Sequence, residues 1–243
     1  MNLMLLTANE ARDGLAPSDP RARHLLKTVH ANIGSTLHVG VRGERRGIAT
    51  VLTTEPRLTF GIRWESSPQA PLPLEVLVGL PRPQSARKVL HDLASLGARR
   101  ITFFKPAKGD PAYATSSLWS TDEWRELLDK GAEQACSALV PAVAHAPSLE
   151  AALAAAPEGW RVALDPYEAE GPLSGSAPRK GTATLAIGPE RGWDAAERAA
   201  LRSAGFDLRH LGDRVLRVEA ACLVGGGLML AGMGAWKAHQ PVA

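Results

Sequence analysis

Thr182-Ala183-Thr184-Leu185-Ala186-Ile187-Gly188-Pro189-Glu190-Arg191-Gly192-Trp193 is the stretch that decides how this 243-residue chain is read. Its first six residues alternate β-branched and apolar types and predict a strand. The strand empties into a Gly-Pro-Glu-Arg-Gly-Trp loop, and Asp194 with Glu197 then forms the D-x-x-E signature of a helix start. In an open α/β sheet, a glycine-bearing loop at the carboxyl end of a strand is where ligands dock. The two glycines let the backbone approach a ligand, Pro189 stiffens the turn, and the helix N-terminus offers free N–H groups. Neither G-x-G-x-x-G nor G-x-x-x-x-G-K-[ST] occurs, which disfavours dinucleotide-binding and phosphate-loop enzymes.

Outward from this stretch the pattern stays mixed. WRVALD (160–165) and EVLVGL (75–80) predict strands, as does RRITFF (99–104). Between them, residues 85–96 place Ala86, Val89, Leu90, Leu93 and Leu96 at helical spacing and stop at Gly97. Thr121 predicts the N-cap of a helix with Trp124, Leu127, Leu128, Ala132 and Ala135 inward. Strands alternating with helices imply an α/β layer domain, here residues 75–243. Residues 1–66 differ, with short strands at LMLL, TLHVGV, GIATVLT and LTFGIRW and one helix near Arg21 to Val29. Gly43 and Gly47 bracket a charged hairpin tip at Glu44 to Arg46, and the whole segment predicts a small barrel. Proline-rich residues 67–74 join the two parts as a linker.

Composition narrows the function classes. The apolar content of 45% supports a buried core without staples. Cys136 and Cys222 lie far apart and show no metal-ligand spacing, so no disulfide framework or metal site is expected, and a reducing, cytoplasmic setting fits. The first residues lack a basic export signal. Ala220 to Trp236 is uncharged, but its five glycines and short length predict a buried or interface helix, with no membrane insertion. Residues 1–70 carry nine Lys/Arg against six Asp/Glu and residues 71–243 nineteen of each, so the whole net charge of +3 sits in the N-terminal part. That asymmetry suits a phosphate-bearing partner, and equally a solvated face.

Leu211-Gly212-Asp213-Arg214-Val215-Leu216-Arg217-Val218-Glu219-Ala220-Ala221 begins about twenty residues beyond the Gly188 loop. Together, I-G-P-E-x-G-aromatic and L-G-x-R-[hydrophobic]-L-R-x-E-x-A resemble the RsmE family of 16S ribosomal RNA uridine-N3 methyltransferases, within the SPOUT superfamily. Arg23-His24-Leu25 through Val29-His30 to Gly34 is similar to that family's opening motif. The resemblance implies a PUA-like, RNA-binding barrel followed by a SPOUT domain whose last helix is threaded into a trefoil knot. It also implies a homodimer in the cytoplasm, S-adenosyl-L-methionine as cofactor, and ribosomal RNA or the 30S subunit as partner.

Carried over by position, Ile187, Gly188, Pro189, Glu190 and Gly192 form one wall of the cofactor pocket. Leu211, Gly212, Val215 and Leu216 form another, and Leu164 a third. Methyl transfer to uridine N3 needs a positioned nucleophile and removal of the ring proton. Arg217 is the candidate cation for the ring anion, with Glu190 and Glu219 as candidate bases. A structural use competes for two of these, with Glu219 capping a helix and Arg217 pairing with Glu190. Arg21, Arg23, His24, Lys27, Arg42, Arg45 and Arg46 are the candidate RNA contacts. The chain departs from the family at Asp92 to Gly97, at Glu133 to Ser137, at Arg191, and at Val218 and Ala220. These departures keep two alternatives open: a diverged methyltransferase of another RNA or a small molecule, and a non-catalytic RNA-binding or assembly protein.

Overall fold

The computed structural model describes residues 2–66, 69–175 and 181–236. Ser67 and Pro68 of the expected linker lie outside the described residues, as do the ends of both expected domains at Met1 and 237–243. The chain divides into two compact units, residues 1–70 with 132–140, and residues 71–131 with 141–243.

The first unit contains β1 (Leu3–Leu6), α1 (Ala8–Asp13), α2 (Pro20–Lys27), β2 (Thr36–Val41), β3 (Arg45–Thr53) and β4 (Thr59–Trp64). Its sheet runs β1-β2-β3-β4, with β1 parallel to β2 and the other pairs antiparallel. Leu6, Leu15, Ala22, Val39, Ala49, Val51, Leu58 and Phe60 form its core. The hairpin is tighter than expected. β3 begins at Arg45, which pairs with Val41, so Arg45 and Arg46 are strand residues and the turn is Arg42-Gly43-Glu44, with Gly43 at φ +78°.

Residues 132–140 were expected in the second domain, yet they belong to the first unit. The Leu5 N–H donates to Glu133 Oε1 at 2.9 Å and the Gly43 N–H to the Ala138 carbonyl at 2.8 Å, while Leu3, Leu5, Ala132 and Ala138 share an apolar cluster. Hydrogen bonds between residues more than 90 positions apart carry no local sequence signal.

The second unit holds β5 (Leu74–Gly79), α3 (Pro83–Leu96), β6 (Arg100–Phe104), α4 (Ser117–Ser120), α5 (Glu123–Gln134, whose last turn passes into the first unit), β7 (Ala142–Ala146) and α6 (Leu149–Ala154). It continues through β8 (Gly159–Leu164), β9 (Thr182–Ile187), α7 (Ala195–Ser203), β10 (Asp207–Arg209) and α8 (Val218–Gly232). The six strands are all parallel in the order β10-β8-β9-β5-β6-β7. Parallel strands are covered on both faces, which is why β5 is buried at every position. Leu77, Ala163 and Ala186 face the core shared with α6 and α7. Neighbouring positions Leu74, Leu164 and Leu185 lie against α8, where Cβ atoms on Gly225 or Gly226 would come within about 3 Å of their side chains. The glycines of this uncharged helix therefore let it sit close to the sheet.

β7 and α6 had no expectation attached, because Ala-Val-Ala-His-Ala and Leu-Glu-Ala-Ala-Leu-Ala are too short and too rich in alanine for either period to show. Gly131 marks the tightest crossing, since a Cβ there would stand 2.2 Å from the His91 carbonyl oxygen on α3. Gly→Ala in a helix normally stabilises by about 1 kcal/mol. Here Gly131→Ala is expected to destabilise by about 1–3 kcal/mol through overpacking, measured as a lowered urea midpoint at unchanged slope.

Candidate functional site

The carboxyl ends of β8 and β9 open into a cleft of about 440 Å³. Its walls are Ile187 to Trp193, His210 to Glu219 apart from Asp213, and Leu164 to Tyr167, and Arg82, Ser85 and Ala221 complete the lining. The chain winds from β5 outward through β6 and β7, then crosses to build β8, β9 and β10 on the other side. The cleft thus lies beside the topological switch point between β5 and β9, the usual ligand position in such sheets.

Trp193 holds two of these walls together. Its indole is buried, its Nε1–H donates to the Leu164 carbonyl at 2.9 Å, and its ring stacks on Phe104 at 5.9 Å with an interplanar angle of 5°. Gly188 lies against that ring, with a Cβ there meeting it at 3.2 Å, and a Cβ at Gly79 would meet Pro189 at 2.9 Å. The loop is therefore wedged between β5 and its own tryptophan. The expected capping box forms: the Glu197 N–H donates to Asp194 Oδ1 at 2.7 Å and the Asp194 N–H to Glu197 Oε2 at 2.9 Å. Glu197 also takes the Ala107 N–H, which anchors the loop after β6. Gly212, at φ +114°, donates its N–H to His210 Nδ1.

Leu164, Ile187, Gly188, Pro189, Glu190, Gly192, Leu211, Gly212, Val215, Leu216, Arg217 and Glu219 all line this one cleft. Arg217 is exposed and forms no ion pair with Glu190; the Glu190 carboxylate instead accepts the Arg82 N–H at 3.1 Å. Glu219, in the first turn of α8, is buried and pairs with Lys88 Nζ at 3.3 Å. Burial would raise its carboxyl, but its own backbone N–H and Lys88 outweigh that and hold it below the ordinary carboxylate range. A carboxylate so held is a weak base. The sequence reading had not singled out Arg82, Ser85, Asp165 or Trp193. Only Trp193 and Asp165, adjoining assigned residues, were within reach of local reading, because Arg82 and Ser85 arrive from a distant strand-helix junction.

Asp165 braces the third wall from below. It is buried, forms a salt bridge with Arg198, and accepts the Tyr167 N–H at 2.8 Å. Burial pushes its carboxyl up, while the Arg198 hydrogen bond and the Tyr167 N–H push it down harder, leaving it below its ordinary value.

In the first unit, two of the candidate RNA contacts are already neutralised. Arg21 binds Glu10 at 2.5 Å, Asp19 at 2.7 Å and the Leu5 carbonyl, and Arg46 is held by Glu65 and the Cys136 carbonyl. Their guanidinium groups brace the unit, which leaves these two less available to a phosphate. Arg23, His24 and Lys27 stand exposed on α2, Arg42 is exposed in the hairpin turn, and exposed Arg45 stacks over Trp64 at 4.5 Å.

A parallel sheet with a glycine-walled cleft at its switch point defines an α/β protein that grips a small ligand through backbone and apolar groups. The chain belongs to the RNA methyltransferase domain family, whose model matches residues 68–229. It is 28% identical to ribosomal RNA small subunit methyltransferase E of Treponema pallidum over 99% of this chain and 95% of that protein. It is 25% identical to the methyltransferase E 1 of Borreliella burgdorferi over 92% and 94%. These relatives support the RsmE resemblance. The fold is shared with the solved structure of ribosomal RNA small subunit methyltransferase E from Neisseria gonorrhoeae bound to S-adenosyl methionine, with a TM-score of 0.77, 20% identity, and 95% and 97% of the two chains covered.

Because the Asp165 carboxyl is depressed in the fold, its contribution is complete above the unfolded value near 3.8 and is lost as pH falls through the lower folded value. Asp165→Asn is expected to cost about 1–3 kcal/mol at neutral pH, because partly buried Arg198 keeps only its longer pairing with Glu168. The deficit should shrink progressively in an acid denaturation series as the pH falls below 3.8 and through the lower folded value.

Proposed function

We propose that this chain is an S-adenosylmethionine-dependent methyltransferase that modifies a uridine N3 of 16S ribosomal RNA in the small subunit. One observation carries the reading: two glycine loops some twenty residues apart converge as facing walls of a single cleft, in a chain of the RNA methyltransferase family. The residues present fit the donor. A cleft of about 440 Å³ suits a ligand of that size, and backbone groups of Ile187 to Gly192 and Leu211 to Leu216 are suited to hold its adenine and methionine ends. Bound there, the donor supplies an electrophilic methyl group on a sulfonium.

The protein's part is to present the uridine in line and to manage its N3 proton. Arg217, exposed at the N-cap of α8 and without an ion pair among the described residues, is suited to stabilise the ring anion. Glu219 is buried and ion-paired with Lys88, so exposed Glu190, whose carboxylate meets only the Arg82 backbone N–H and no cationic side chain among the described residues, takes the role of base.

Other parts of the chain support the finer family expectations. Alternating burial around one core, with a further bridge between Leu15 and Leu58, favours a PUA-like barrel for the first unit. α8 follows the edge strand β10 but packs on central β5 and β9, a return path that suits the SPOUT trefoil knot. Val215, Leu216, Leu223, Val224 and Leu228 expose an apolar surface that favours a homodimer. Among the described residues no helix is long and apolar enough to cross a membrane, and no metal-binding cluster occurs; the proposed site of action is the cytoplasm, where the small subunit is.

Purified protein given labelled donor should label small-subunit ribosomal RNA at a uridine, read at nucleotide resolution. Label appearing only in a metabolite extract would overturn the RNA assignment, and no donor binding in calorimetry would overturn the enzyme. Glu190→Gln is expected to lower kcat by about 10²–10⁴-fold. Arg217→Ala should cost about 10²–10³-fold in kcat.

A further inference from the structure

Tyr167 is 74% exposed, more than any other large apolar or aromatic side chain described, and its ring lines the mouth of the cleft. Its position is nonetheless fixed. The Tyr167 N–H donates to Asp165 Oδ1 at 2.8 Å, and buried Asp165 is locked by Arg198, so the turn beneath the ring is rigid. The ring edge reaches the first wall, with Tyr167 Cε2 3.9 Å from where a Cβ on Gly192 would stand. Arg191 precedes that glycine, and Arg214 and Arg217 rise from the second wall; all three are exposed and, among the described residues, form no ion pair. Glu190 is the exposed carboxylate among the lining residues, with Asp213 next to Arg214, so the rim carries an excess of positive charge.

An exposed aromatic face on a rigid turn adds nothing to the core and costs little entropy to engage. Beside unpaired guanidinium groups it matches the way single-stranded nucleic acid is held, with bases on π-faces and phosphates on cations. We propose that Tyr167 and Arg191 form a strand-holding lip: the ring stacks on the base next to the target nucleotide, and Arg191 binds the phosphate between them. The target base is then free to turn into the cleft, as a base must when chemistry is done on its ring. This deepens the proposed function and rests on it. A structured duplex would not offer an unstacked base face to Tyr167, so the lip selects unpaired segments. Tyr167 is thus a positioning residue for the substrate strand.

The test uses the full chain and a fluorescent oligouridylate of about ten nucleotides, titrated by anisotropy over a salt series and repeated with a duplex of the same length. Tyr167→Ala is expected to weaken single-strand binding by about 5–100-fold with an unchanged salt slope, and Tyr167→Trp to restore it. Arg191→Gln is expected to reduce the salt slope by about 0.7, the loss of one phosphate contact. In turnover with ribosomal RNA, Tyr167→Ala should raise KM for RNA more than it lowers kcat. Equal single-strand affinity for wild type and Tyr167→Ala would overturn the lip while leaving the methyltransferase reading intact. A change of oligomeric state in Tyr167→Ala, seen by sedimentation with RNA affinity unaltered, would make the ring a subunit contact and likewise overturn it. Wild-type protein that neither binds the oligonucleotide nor labels ribosomal RNA would overturn both readings.

Discussion

The Trp193 indole is the contact on which the functional half of this structure depends. Its N–H satisfies the Leu164 carbonyl at the end of β8, its face stacks on Phe104 from β6, and its ring lies so close to position 188 that a Cβ there would meet it at 3.2 Å. One side chain thereby joins two strand ends and sets the height of the loop between them. A buried indole N–H without a partner would be costly, so the hydrogen bond holds the geometry as firmly as the packing does.

From that constraint the character of the cleft follows. Its walls are strand ends and glycine turns, so many of the groups lining it are backbone and small apolar atoms, and the exposed charges sit at the rim. The carboxylates that do enter are already engaged, Glu219 by Lys88 and Asp165 by Arg198. Such a lining suits a ligand held by shape and backbone hydrogen bonds, with the remaining arginines turned toward an anionic strand outside.

The first unit divides its charges in a similar way. Arg21 and Arg46 each sit between carboxylates and carbonyl oxygens and brace the sheet, whereas Arg23, His24 and Lys27 point away from the core on α2. A count of basic residues would treat these two groups alike. Their physical roles differ, because a guanidinium already engaged by carboxylates, two at Arg21 and one at Arg46, has less left to offer a phosphate.

Much of the fold was legible from local chemistry. The strand Thr182–Ile187, the Asp194/Glu197 capping box, the stop at Gly97 and the uncharged final helix each follow from periodicity, caps or composition within a few residues, and all appear in place. The two glycine loops could be named as ligand walls for the same reason, since turn chemistry is written where the turn is. Only the tertiary structure decided that they face one another, that Arg82 and Ser85 complete the cleft, that Glu133 crosses back to cap Leu5, and which arginines remain unpaired. These outcomes depend on contacts between residues tens to more than a hundred positions apart, and no local preference of a chain encodes which distant partner will neutralise a charge or close a wall.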